Sequence, residues 1–198
     1  MTTALLVIDV QNDFCPGGAL AVPGGDEIVP GINDLMRDFT DIILTQDWHP
    51  PRHSSFASEH PGKQAFETAE MDYGEQVLWP DHCVQGSHGG AFHPELDTTP
   101  AHLIIRKGMS LNIDSYSAFF ENDRSTATGL DGYLQKRDVT ELVMVGLATD
   151  FCVQFSALDA AKLGYKVIVR RDLCRAIDLD GSLAQAEAAM AGAGVVLE

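Results

Sequence analysis

Short, unbroken apolar runs recur along the chain at Leu5 to Ile8, Ile42 to Leu44, Leu103 to Ile105, Leu142 to Val145, Val167 to Val169 and Val195 to Leu197. Runs of this kind, rich in β-branched residues and without polar alternation, predict strands buried on both faces. Between most of them the apolar positions return at helical intervals. This predicts helices over about Asp26 to Asp38, Thr128 to Arg137, Thr149 to Leu163 and Gly181 to Ala191, with Gly164 and Gly192 as stop signals. Strand and helix in alternation imply βαβ units with right-handed crossovers, hence an α/β fold of three αβα layers around a mainly parallel sheet. The stretch from Trp48 to Pro100 breaks the pattern, being rich in His, Pro, Gly and Ser with little periodicity. A connection of that length is usually functional or carries insertions. No repeat, low-complexity tract or linker divides the chain, so a single domain over residues 1–198 is expected.

Open parallel sheets place their ligand sites at the carboxyl ends of strands. Asp9, Asp47, Lys107 and Cys152 follow the first four apolar runs, so four chemically capable side chains are expected on one edge. Cys152 stands out, because Gly146-Leu147-Ala148-Thr149-Asp150-Phe151-Cys152 carries a buried strand into a helix. In a first helical turn, unpaired N–H groups and the positive end of the dipole favour thiolate over thiol and can hold a developing oxyanion. That arrangement suits acyl transfer. The plain alternative is a buried structural cysteine, a common fate of this residue.

Composition narrows the classes. The chain has 198 residues, of which 45% are hydrophobic and 21% charged, enough apolar material for a sizeable core. Its 29 acidic and 13 basic side chains give a net charge of -16, and the basic ones are scattered. Such a surface repels phosphate backbones and anionic membranes, so neither nucleic acid nor membrane is expected as a partner. Met1-Thr2-Thr3 runs directly into the first apolar run without a basic leader, which reads as the first core strand of a cytoplasmic protein. Cys15, Cys83, Cys152 and Cys174 form no Cys-x-x-Cys pair and are expected to be reduced.

A second cluster lies in the irregular stretch. Asp47 and His49, two residues apart, project to one side of an extended segment, and His82 follows in Trp79-Pro80-Asp81-His82-Cys83. One carboxylate and two imidazoles suit a divalent ion, zinc first, with iron or manganese as alternatives. The remaining histidines, His60, His88, His93 and His102, read as ordinary polar residues.

Taken together, these segments resemble the nicotinamidase branch of the isochorismatase-like cysteine hydrolases. The matching blocks are Val7 to Gly18, Asp47 to Phe56, Leu78 to Gly86, Arg106-Lys107-Gly108, Asp114 to Phe119 and Gly146 to Val153. The resemblance implies an amidase acting on nicotinamide, and on pyrazinamide, through a cysteine thioester in NAD salvage. It implies a catalytic triad of Asp9, Lys107 and Cys152, with Lys107 lowering the thiol pKa. The N–H groups of Ala148 and Cys152 would form an oxyanion hole, beside a cis peptide at Leu147-Ala148. A single divalent ion would sit on Asp47, His49 and His82 and bind the pyridine nitrogen, with His53 outside its first shell. Phe14, Leu20, Trp79, Tyr116 and Phe151 would line the ring pocket. Rival expectations are a sister amidase acting on carbamoyl or ureido groups, and a non-catalytic metal-binding protein of the same fold. A homo-oligomer is left open.

Overall fold

The computed structural model describes residues 2–198. Its centre is a six-stranded parallel sheet. The chain enters on β1 (Thr2–Ile8), passes α1 (Val29–Met36) and β2 (Ile42–Asp47), and makes a small hairpin of β3 (Thr68–Met71) and β4 (Gly74–Val77). It continues through β5 (Leu103–Lys107), α2 (Leu130–Lys136) and β6 (Val139–Leu147), then a π-helical turn over Thr149–Val153 leading into α3 (Gln154–Lys162). β7 (Lys166–Arg175), α4 (Ser182–Gly192) and β8 (Val196–Leu197) complete it. All six apolar runs read from the sequence lie in the sheet, whose spatial order is β5-β2-β1-β6-β7-β8.

Side chains of β1 alternate between two cores, which is why its apolar run has no polar gaps. Ala4, Leu6 and Ile8 pack on the face covered by α2, α3 and α4, with Leu134, Ala157, Ala160 and Met190. Leu5 and Val7 pack on the other face against Val29, Ile32 and Met36 of α1. Burying each of those three α1 side chains is worth roughly 1.5 to 3 kcal/mol. β1 and β6 approach so closely that a Cβ on Gly146, at φ +120°, would lie 2.1 Å from the Ile8 carbonyl oxygen. Only glycine fits there.

Two differences from the sequence reading have local causes. Helix α1 begins at Val29, not near Asp26, with Pro30 in its first turn where a missing N–H costs nothing. The hairpin β3–β4 lies inside the stretch read as irregular. Its strands are only four residues each and mostly exposed or half-buried, and Asp72-Tyr73 forms the two-residue turn, so the alternation in Thr68-Ala69-Glu70-Met71 is too short to mark them.

Candidate active site

Strand order decides where the chemistry lies. Asp9 follows β1, Asp47 ends β2, Lys107 ends β5, and Cys152 sits in the π-helical turn after β6. Because β5, β2, β1 and β6 are neighbours in that order, four sequence-distant side chains meet at one edge. The chain order reverses between β1 and β6, and this switch point is where open α/β sheets leave a crevice.

Lys107 is the hub. Its Nζ lies 2.9 Å from Asp9 Oδ2, 2.9 Å from Asp47 Oδ1 and 2.9 Å from the Ser115 carbonyl, and 3.5 Å from Cys152 Sγ. Asp9 Oδ1 accepts a 2.6 Å hydrogen bond from Thr45 Oγ1, while Oδ2 faces the Lys107 ammonium. All these groups are buried. Burial disfavours charge on Lys107, but Asp47 and Asp9 outweigh it and hold the ammonium well above its ordinary pKa. Burial raises the pKa of Asp9, with Lys107 opposing and Asp47 reinforcing.

Burial pushes the Cys152 thiol well above its usual range; Lys107 opposes this, but Asp9 and Asp47 add to it. Lys107 thus acts on the thiol in the direction the resemblance implies, lowering its pKa. One ammonium faces two carboxylates around a buried sulfur. The Leu147–Ala148 peptide beside the Cys152 turn is cis.

Asp47 Oδ2 lies 2.9 Å from His49 Nε2 and 3.3 Å from His82 Nε2. Each ring is oriented by its other nitrogen, His49 Nδ1–H donating to the Gly108 carbonyl at 3.0 Å and His82 Nδ1–H to the Pro80 carbonyl at 2.8 Å. Both Nε2 lone pairs are thus left facing the carboxylate, and His49 Nε2 has no hydrogen-bond partner. These three groups fit a divalent ion, with the backbone carbonyls fixing ligand orientation. Without a cation, burial opposes charge on His49, yet Asp47 outweighs it and lifts the pKa to about 9. His53 differs, because Nδ1 accepts from Ser55 N at 3.3 Å and its other nitrogen contacts the Ile113 carbonyl at 3.2 Å. Its Nδ1 also contacts Ser55 Oγ at 2.8 Å, and His49, His53 and Asp114 form a second group of possible ligand atoms.

A small pocket opens above the cysteine. Phe14, Leu20, Trp79, Tyr116 and Phe151, named from the sequence, all line it, together with Asp47, His82, Ala148 and Cys152. Trp79 and Phe151 meet edge to face at 4.9 Å between centroids, and Tyr116 and Phe151 at 5.6 Å. The walls are flat and apolar, with polar groups only at the floor and one side.

The family profile described as Isochorismatase domain matches residues 3–198. The chain belongs to the isochorismatase family. A nicotinamidase of Acinetobacter baylyi is 56% identical over 192 residues, covering 97% of this chain and 90% of that protein. The solved structure of an Acinetobacter baumanii nicotinamidase and pyrazinamidase superposes with a TM-score of 0.98 at 57% identity, covering 99% of this chain and 95% of that one. A pyrazinamidase of Pyrococcus horikoshii, solved in complex with zinc, gives 0.80 at 33% identity, covering 100% and 99%.

Within this isochorismatase-family pocket, sequence reasoning missed Thr45, Asp114 and Ile177. Asp114 and Ile177 line the cavity, and Thr45 anchors Asp9. Thr45 could have been found by period, since it precedes Asp47 by two residues on a strand and shares its face. Asp114 stood inside a matched block without an assigned role. Ile177 carries no signal. It is placed because Asp150, in the nucleophile turn, accepts hydrogen bonds from the backbone N–H groups of Ile177 and Asp178 at 3.1 and 2.7 Å.

Proposed function

We propose that this chain hydrolyses nicotinamide to nicotinate and ammonia, and pyrazinamide likewise, through a thioester on Cys152. The observation that carries the reading is the contact of Lys107 Nζ with both Cys152 Sγ and Asp9 Oδ2 at the floor of an aromatic pocket walled by His82 and Asp47.

Substrate binds with its ring between Trp79, Tyr116 and Phe151 and its amide over Cys152. Sγ attacks the carbonyl carbon as its proton passes to Asp9, whose raised pKa makes it an able acceptor in this buried setting. Lys107 remains charged throughout and offsets the negative charge that forms on sulfur. The N–H groups of Ala148 and Cys152 hold the oxyanion of the tetrahedral adduct. Collapse breaks the C–N bond while Asp9 returns the proton to nitrogen, and ammonia leaves. Water then attacks the thioester carbonyl and gives a proton to Asp9. The second adduct expels sulfur, which regains that proton, and the nicotinic acid formed loses its carboxyl proton to solvent and departs as nicotinate.

Asp47, His49 and His82 hold one divalent ion, zinc first, with iron or manganese as alternatives. When bound it supplies a Lewis acid for the pyridine nitrogen and so a template for orientation. The zinc complex of the Pyrococcus horikoshii relative supports zinc as the first choice. No helix among the described residues is long and apolar enough to cross a membrane, and all four cysteines are free and buried. The free cysteines suit a reducing compartment, and on this reading the enzyme serves NAD salvage in the cytoplasm.

The test is ammonia release from nicotinamide, benzamide and a small ureido compound, with metal content measured on the same sample. Turnover of nicotinamide, poor turnover of benzamide and about one metal ion per chain are expected. Turnover of the ureido compound alone moves the function to a sister amidase.

A further inference from the structure

The hairpin β3–β4 is the one regular element whose purpose the reaction does not explain, and its buried side chain Gln76 makes an unusual set of contacts. Gln76 is 1% exposed on a strand whose other residues are half-buried or exposed. Its Nε2 lies 2.7 Å from the Tyr116 hydroxyl, 2.7 Å from Asp114 Oδ2 and 2.7 Å from the Val77 carbonyl. Its Oε1 accepts from Tyr73 Oη–H at 3.1 Å and from Asn122 Nδ2–H at 3.0 Å. The amide orientation is settled by these partners, since a flipped amide would set its oxygen against a carboxylate and a carbonyl.

The same Tyr116 hydroxyl receives Trp79 Nε1–H at 3.1 Å. Two pocket walls therefore share one oxygen, and Gln76 is the side chain that ties that oxygen to the hairpin. Asp114, held by the same amide, lines the pocket with Oδ1 3.8 Å from His49 Nε2. Burying a polar amide costs stability unless every partner is kept, so a satisfied amide at this depth specifies one arrangement of the groups around it.

We propose that Gln76 is a positioning residue for the ring pocket, fixing Tyr116 and Trp79 at the spacing that admits a flat, single-ring heteroaromatic amide. The hairpin acts as the outer brace of the specificity pocket. This rests on the functional reading above and deepens it. Gln76 touches neither the reacting carbonyl nor the nucleophile, so its removal acts on ring binding. Ring binding is common to ground and transition states, and its loss raises KM while leaving kcat near native.

The experiment compares native protein with Gln76→Met, Tyr116→Phe and the double variant. Gln76→Met keeps the bulk and removes every hydrogen bond. KM for nicotinamide should rise about 3- to 10-fold, the size expected for a lost net hydrogen bond, with kcat within about twofold and Trp79 fluorescence shifted. The double variant should be little worse than either single one, because both cut the same link. Discrimination against a fused two-ring carboxamide should narrow. If Gln76→Met does not fold, Asn122→Ala, which frees Gln76 Oε1 and also the Tyr116 N–H held by Asn122 at 3.1 Å, must shift KM in the same direction. An unchanged KM with native turnover intact, or strictly additive effects in the double variant, overturns the assignment of Gln76 alone. Absence of nicotinamide turnover in the native protein overturns the functional reading and this inference with it.

Discussion

Around Cys152 burial and charge pull in opposite directions. Burial raises the thiol's pKa, Lys107 lowers it, and Asp9 and Asp47 add to the rise. Residue types alone conveyed the charge part, because a cysteine near a lysine and a helix start reads as activated. What they could not convey was depth, since desolvation depends on what covers the sulfur. Glu121 illustrates the same effect in a group that has no catalytic task. It is 7% exposed, and its Oε2 lacks a hydrogen-bond partner. Burial lifts its pKa from 4.5 to about 7; Asp114 and Asp47 add to this and Lys107 and His49 oppose it. Below about pH 4.5 the carboxyl is protonated in both folded and unfolded states and its full contribution to stability is present. As pH rises through 4.5 towards 7 the unfolded chain loses the proton first, and the contribution is lost by the time the folded carboxyl ionises. Glu121→Gln should therefore be more stable than native by about 1 to 3 kcal/mol at pH 8 and show no gain at pH 4. Denaturant unfolding at the two pH values checks this, and an equal difference at both would contradict it.

At the scale of elements, each strand end delivers one group and the segment after it orients that group. Gly108, directly after β5, shows how tight this is. Its φ is +66°, its carbonyl accepts His49 Nδ1–H, and a Cβ there would lie 2.5 Å from His49 Cε1. Gly108→Ala should displace the imidazole and lower metal affinity by roughly 10- to 100-fold, the usual cost of disturbing a ligand's supporting contact. Chelator competition on the purified variant measures it, and native affinity would contradict the role given to this turn. The six sheet strands could be read from the chain because burial on both faces leaves unbroken apolar runs such as Leu5 to Ile8. The hairpin could not. Gln76 is its one fully buried side chain, and a glutamine between Glu75 and Val77 gives no apolar signal of its own. Helix α3 was foreseen, but its opening turn is π-helical, a local irregularity that periodicity does not resolve.

At the scale of the whole molecule, topology turns separated segments into a site. Asp9, Asp47, Lys107 and Cys152 span most of the chain yet meet because β5, β2, β1 and β6 lie side by side with their carboxyl ends together. That convergence was readable from the strand-end rule. Ile177 was not, because only the fold of the 176–182 segment onto Asp150 brings it to the pocket. The net charge of -16 has a consequence at this scale as well. A neutral amide enters an acidic field without penalty, while an anionic carboxylate product is repelled from it. The central claim is that one buried sulfur forms the bond to the substrate. Its most direct test is ammonia release from nicotinamide by Cys152→Ala, in protein that retains the native fold and binds the substrate. The account predicts no release above the uncatalysed rate. Turnover approaching the native rate would contradict it and remove Cys152 from the mechanism.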